Sequence, residues 1–146
     1  MITELIIRQA TVADAAEVAR LLGELGYDAS AEDVQNRWSK QAEAGAFILV
    51  AEGQGRLLGL LSFAQMPLLH ADGYLGRVTG LVVDAEWRGR GLGKRLLRAM
   101  EALAWEQDCL RVEITSGDFR PDAHAFYEHV GYAPDERRFV RRRPSA

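Results

Sequence analysis

The segment Leu81-Val82-Val83-Asp84-Ala85-Glu86-Trp87-Arg88-Gly89-Arg90-Gly91-Leu92-Gly93-Lys94-Arg95-Leu96-Leu97 constrains this chain more than any other. It runs from a short apolar stretch, through a turn punctuated by three glycines, into the apolar spacing of an amphipathic helix carrying Leu92, Leu96, Met100 and Leu103 on one stripe. A buried strand that hands over to a helix across so short a turn belongs to an α/β sheet domain. The chain around it supports that class. Residues 4–8 read as a strand, and Thr11 with Asp14 as a helix cap ahead of Ala15, Val18, Ala19 and Leu22. Gly26 ends that helix, and Ser30 opens a second, more polar one to about Ala44. Ala46–Ala51 and Leu57–Ala64 flank Glu-Gly-Gln-Gly-Arg and read as a hairpin.

A strand over 74–83, the helix over about 91–107 and a strand over about Cys109–Thr115 follow. Pro121 suits the first turn of a further helix, with Ala123, Phe126, Tyr127 and Val130 on one face before Gly131, and Phe139-Val140 suggests a last strand. The predicted order is β-α-α-β-β-β-α-β-α-β over one domain, 1–146, a single mixed sheet with helices on both faces.

Composition narrows the function. With 48% hydrophobic and 27% charged residues, the chain is neither disordered nor a string of domains. Cys109 is the single cysteine, so no internal disulfide can form and a reducing, cytoplasmic setting is expected. The three histidines, His70, His124 and His129, lack zinc-site spacing, and no metal is expected. No run approaches a membrane span and the N-terminus does not resemble a secretory signal, so neither export nor membrane insertion is expected. The net charge of −3 argues against nucleic acid as a partner. That charge is uneven: residues 1–60 hold 5 basic and 9 acidic residues, while 61–146 hold 13 and 12, with basic clusters at 88–98 and 137–143. An anion is therefore to be sought in the second half.

Gly89, Gly91 and Gly93 let the backbone expose several N–H groups at a helix N-terminus, and Arg88, Arg90, Lys94 and Arg95 add full positive charge. The combination suits a pyrophosphate; the alternative is a turn before a basic, solvated helix. It is neither of two familiar nucleotide loops. A Walker loop needs glycine where Arg88 stands and serine or threonine where Arg95 stands, and the dinucleotide fingerprint finds Lys94 or Leu96 at its last small position.

Arg88-Gly89-Arg90-Gly91-Leu92-Gly93 behind Leu81-Val82-Val83 does match the Arg/Gln-x-x-Gly-x-Gly/Ala signature, and the chain resembles the GCN5-related N-acetyltransferases (GNAT). Ile7-Arg8-Gln9-Ala10-Thr11, Leu25-Gly26-Tyr27 and Ala125-Phe126-Tyr127-Glu128-x-x-Gly131-Tyr132 carry the likeness over nearly the whole length. The resemblance implies the GNAT fold, a mostly antiparallel sheet whose strands 4 and 5 splay to admit acetyl-coenzyme A (acetyl-CoA). It implies that backbone amides of 90–95 hold the pyrophosphate, and that the cofactor-binding segment Leu81, Val82 and Val83 binds the pantetheine arm through the backbone of Leu81 and Val83. Tyr127 falls on the family's usual general-acid position, and Tyr132 on a packing aromatic.

Acetyl transfer to an amine needs a neutral amine, a polarised carbonyl and a proton for the departing thiolate. Tyr127, with an ordinary pKa near ~10, can give that proton to a thiolate whose acid has a pKa of ~8.5. Where relatives often carry a carboxylate base, this chain has Thr79 and Gly80. Glu113, beside Arg111 and Thr115, is the candidate base through a water, or else a salt-bridged glutamate.

Arg120-Pro-Asp122-Ala123-His124-Ala-Phe126-Tyr127 and Arg138-Phe139 are similar to segments of small-molecule members, including aminoalkylphosphonate acetyltransferases. Glu17, Glu24, Asp28, Glu32 and Asp33 could draw a cationic amine, or simply be solvated. The expected acceptor is a primary amine of a small molecule of aminoglycoside, polyamine or aminoalkylphosphonate type. A protein N-acetyltransferase and a non-catalytic acyl-CoA sensor are the alternatives. Many relatives are dimers, which leaves a homodimer open.

Overall fold

Ile6–Gln9 forms the first strand, β1, in the computed structural model, which describes residues 4–115, 121–135 and 138–145. Arg8 on β1 donates to both carboxylate oxygens of Asp14 at 2.9 Å and to Glu52 Oε1 at 2.8 Å, while Asp14 Oδ2 accepts from the Thr11 N–H at 2.8 Å. That knot turns the chain into α1 (Ala15–Leu25), which buries Ala15, Val18 and Leu21, with Ala19 and Leu22 packed at the margin. Ser30 and Asp33 exchange bonds of 3.0 Å as a reciprocal cap for α2 (Ala31–Glu43).

Strands β2 (Phe47–Gly53) and β3 (Arg56–Pro67) are joined by Gln54 and Gly55, both at positive φ (54° and 75°), the pair of left-handed residues that a tight two-residue hairpin requires. Next come β4 (Tyr74–Val83), a 3-10 turn over Ala85–Trp87, α3 (Leu92–Glu106) and β5 (Cys109–Ile114). The sheet order is β1-β2-β3-β4-β5, antiparallel throughout except for β4 and β5, which run parallel because α3 carries the chain back across the sheet.

Alternation along the strands sends Val50, Leu60 and Val82 to one face, where they meet Ala15, Val18, Leu21 and Val34 of α1 and α2. The opposite face receives α3: a side chain at Gly59 would meet Leu96 Cδ1 at 3.0 Å. Helices therefore cover both faces, as the sequence pattern predicts.

Two compact units are distinguished, 1–115 and 116–146. In the second, α4 spans Pro121–His129, and Gly131 follows it at φ +105°. The last predicted strand is corrected by the structure. Residues 138–145 adopt no strand, and Phe139 is 99% exposed with Val140 at 54%. Phe139-Val140 is only two residues long between arginines, too short an apolar run to hold a ladder against the repulsion of Arg138, Arg141, Arg142 and Arg143.

Candidate active site

The geometry of β4 sets up the site. Its pairing with β5 ends at Val78↔Ile114, whereas its pairing with β3 continues to Val83↔Gly59. Thr79 through Val83 therefore have β3 on one side and, among the described residues, no strand on the other. The Asp84 N–H donates to Leu58 O of β3 at 2.8 Å, so strand alternation points the N–H and C=O of Val82 toward β3 as well and those of Leu81 and Val83 toward the open edge. The two residues expected to bind the pantetheine arm thus present main-chain groups to that edge.

The turn after β4 is braced from behind. Asp84, 3% exposed, accepts from Arg20 Nη1 at 2.8 Å, from Arg56 Nη2 at 3.1 Å and from the Glu86 N–H at 3.0 Å. Burial alone would push its carboxyl up; the Glu86 N–H and the Arg20 and Arg56 charges outweigh this and hold it below the usual range. Arg20 also donates to Leu57 O at 2.7 Å and to Glu17 Oε2 at 2.7 Å, and the Ala85 N–H donates to Glu24 Oε1 at 3.3 Å. One carboxylate and one guanidinium thereby join α1, the β2–β3 hairpin and the turn. Sequence reasoning missed this cluster because Arg20 and Asp84 are far apart in the chain and neither sits in a local motif.

From Asp84 the chain passes through the 3-10 turn to Arg88, whose Nε donates back to Val83 O at 3.2 Å. The Arg90 guanidinium lies over the Trp87 ring, 4.4 Å from its centroid. Gly89 and Gly91 take φ of +76° and +80° with nothing within 4 Å of an added Cβ, so glycine serves the backbone angle there and leaves the space in front open. Gly91 is the residue before α3, and no side chain caps that helix. The Arg95 N–H is bonded to Gly91 O, while the N–H groups of Leu92, Gly93 and Lys94 stand in the first turn, where a helix offers no acceptor of its own. Leu92 and Leu96 are buried and anchor the turn, whereas Arg88, Arg90, Lys94 and Arg95 are exposed around it. Main-chain donors at a helix start and four exposed cations within eight residues of one another are a combination that suits a diphosphate.

Glu113 is ion-paired to Arg77 and Arg111. Arg77 Nη2 donates to its Oε1 at 2.9 Å, which ties β5 to β4, and Arg111 Nε donates to its Oε2 at 3.0 Å within β5. The hydrogen bond from Arg77, with the charge of Arg111, holds this carboxyl below the usual range. In the second unit, Tyr127 is half-buried on α4, on the face it shares with Ala123, Phe126 and Val130, its ring 5.5 Å from Phe126 and edge-on to Tyr132 at 6.5 Å. Of the five acidic residues near α1 and α2, Glu17 is paired with Arg20, Glu24 with the turn and Asp33 with the α2 cap, while Asp28 and Glu32 are exposed.

The comparisons with known proteins show the family and the fold. The sequence profile of the Acetyltransferase (GNAT) family matches residues 13–132. An aminoglycoside N(6')-acetyltransferase type 1 of Stenotrophomonas maltophilia is 32% identical over 139 residues, 90% of this chain and 88% of that protein. A probable glucosamine 6-phosphate N-acetyltransferase 2 of Oryza sativa subsp. japonica is 38% identical over 91 residues, 58% of this chain; the match takes in about half of that protein, 52%. Among solved structures, an acetyltransferase of Trypanosoma brucei superposes with a TM-score of 0.82 at 26% identity, over 95% of this chain and 99% of that one. The chain belongs to the GNAT acetyltransferase family and is an acetyltransferase.

Proposed function

We propose that this protein transfers an acetyl group from acetyl-CoA to a primary amine of a small molecule, an amino sugar or a compound of similar size, by direct attack within a ternary complex. The observation that carries the reading is the start of α3, without a side-chain cap and with exposed cations at 88, 90, 94 and 95, in the turn that follows the open edge of β4. The N–H groups of 90–94 grip the pyrophosphate, that of Arg95 being engaged by Gly91 O, with Arg88, Gly89, Arg90, Gly91, Leu92, Gly93, Lys94 and Arg95 forming the cradle. Leu81 and Val83 hydrogen-bond the pantetheine arm along the open edge, as an added strand would, and one of their N–H groups polarises the acyl carbonyl.

Acetyl-CoA supplies an acyl carbon to which the amine nitrogen bonds through its lone pair while the carbon–sulfur bond breaks. Tyr127 gives its proton to the leaving sulfur, the nitrogen's surplus proton passes to water, and water returns a proton to the Tyr127 phenolate. Glu113 is unsuited to take that proton, because two guanidiniums hold its pair of oxygens and stabilise the charged form. The acceptor, with an amine pKa of order ~10 for an unperturbed alkylamine, must then enter as its neutral fraction, so kcat/KM is expected to rise with pH toward that value. Two features support the small-molecule class: the amino-sugar chemistry in the names of the two relatives, and the segment Asp122-Ala123-His124-Ala125-Phe126-Tyr127, which is similar to small-molecule members.

The test is release of free coenzyme A thiol with a panel of amino sugars, aminoglycosides, polyamines, aminophosphonates and amino acids. Saturating, amine-dependent release with at least one acceptor is expected. Coenzyme binding without turnover on any of them would overturn the small-molecule assignment.

A further inference from the structure

Where relatives often place a carboxylate, β4 has a bulge. Ser62 is opposite Gly80 and Phe63 opposite Val78, so Thr79 is the extra residue, without a Cα partner on β3. It also lies one residue beyond Val78↔Ile114, the last pair with β5, so it has no partner in either ladder. Thr79 is exposed, and its Oγ1 lies 2.7 Å from Ser62 Oγ. The pair stands on the α1 face: a side chain at Gly80 would meet Ser62 Oγ at 3.1 Å and Leu25 Cδ2, at the end of α1, at 3.6 Å. Leu81, whose main chain faces the open edge, is two residues on, about 7 Å along the strand.

We infer that the Ser62–Thr79 hydroxyl pair binds and orients the acceptor amine. Two hydroxyls carry two hydrogens and four lone pairs; their mutual bond uses one of each, leaving three lone pairs and one hydrogen. A neutral amine about to attack needs acceptors for its N–H groups, so that its own lone pair is aimed along the strand at the acyl carbon. The hydroxyls supply these acceptors at the point where the sheet opens. They do not act as the base, since an aliphatic hydroxyl stays protonated at neutral pH, so the surplus proton still leaves through water. The pair therefore sets the geometry of attack without changing the number of protons moved.

This inference rests on the acetyl-transfer reading above, and the experiment separates the two. Thr79→Val keeps the shape of the side chain and removes the hydroxyl. With the best acceptor found in the thiol-release assay, Thr79→Val is expected to lower kcat/KM for the amine about tenfold, the weight of one hydrogen bond. Calorimetric acetyl-CoA affinity should stay within twofold, and Thr79→Ser should restore most of the activity. Ser62→Ala should cost less when added to Thr79→Val than alone, as the two hydroxyls act as a unit. Should Thr79→Val prove unfolded by circular dichroism, Ser62→Ala alone is read against the same criteria. Unchanged kinetics toward the amine, or a parallel loss of acetyl-CoA affinity, would overturn the inference while leaving the acetyl-transfer reading intact. Absence of turnover in the unmodified protein with every amine would overturn both.

Discussion

Tyr127 and Gly91 separate two kinds of contribution at the residue scale. Tyr127 is proposed to matter only when the thiolate leaves, so Tyr127→Phe should lower kcat about 10²-fold, the lower end of general acid catalysis, with acetyl-CoA affinity unchanged. Equal turnover in the mutant would remove Tyr127 from that role. Gly91 matters through its backbone angle. An alanine there meets no neighbour but must hold φ near +80°, which costs roughly 1–2 kcal/mol. Relief of that strain would swing the first amides of α3 away from the phosphates, so Gly91→Ala should weaken acetyl-CoA binding in a titration more than it lowers the midpoint of chemical denaturation. A mutant binding as tightly as the unmodified protein would show that the cradle does not depend on this angle.

At the scale of elements, Asp84 is the junction between α1, the hairpin and the turn that precedes α3. Arg20 and Arg56 are part-exposed and can turn to water when it is lost, so Asp84→Ala should cost about 2 kcal/mol, less than breaking a fully buried pair, and denaturant unfolding measures it. No change in midpoint would show that the junction is decorative. Acid stability belongs to the same scale. Hydrogen bonds from Arg8 and Arg20, respectively, are the main causes holding Asp14 and Glu17 below their ordinary range, and Asp84 is lowered as well. A carboxylate with a depressed folded pKa contributes its full stability above its unfolded value, near ~4, and loses it as the pH falls through the folded one. The thermal midpoint should therefore be insensitive to these groups between pH 5 and pH 7, fall below about pH 4, and fall less steeply in Asp84→Asn.

Elements with local signals were legible in the sequence. Thr11 with Asp14, Ser30 with Asp33 and the Gln54-Gly55 turn each declare themselves within a few residues, and the structure places helices and hairpin accordingly. The Arg88–Gly93 turn was legible for the same reason. The Asp84 junction and the bulge at Thr79 were not, because both depend on partners on other elements, Arg20 and Arg56 in one case and Ser62 in the other. Phe139-Val140 misled because two apolar residues satisfy a strand pattern without showing what would pair with them.

For the molecule as a whole, the uneven charge agrees with the proposal: the basic cluster of 88–98 lies in and beside the turn within a chain of net charge −3. A site built on exposed cations should lose affinity as salt screens them, whereas the main-chain donors should persist. Ligand that binds only the folded state adds stability, about 2.7 kcal/mol at a hundredfold excess over Kd, so acetyl-CoA should raise the thermal midpoint by several degrees. Isothermal titration of the protein with acetyl-CoA tests the central claim most directly. Saturable binding, one ligand per chain, strongly weakened by the pair of substitutions Arg88→Ala and Arg90→Ala, is the predicted result; an absence of saturable heat in the intact protein would contradict it.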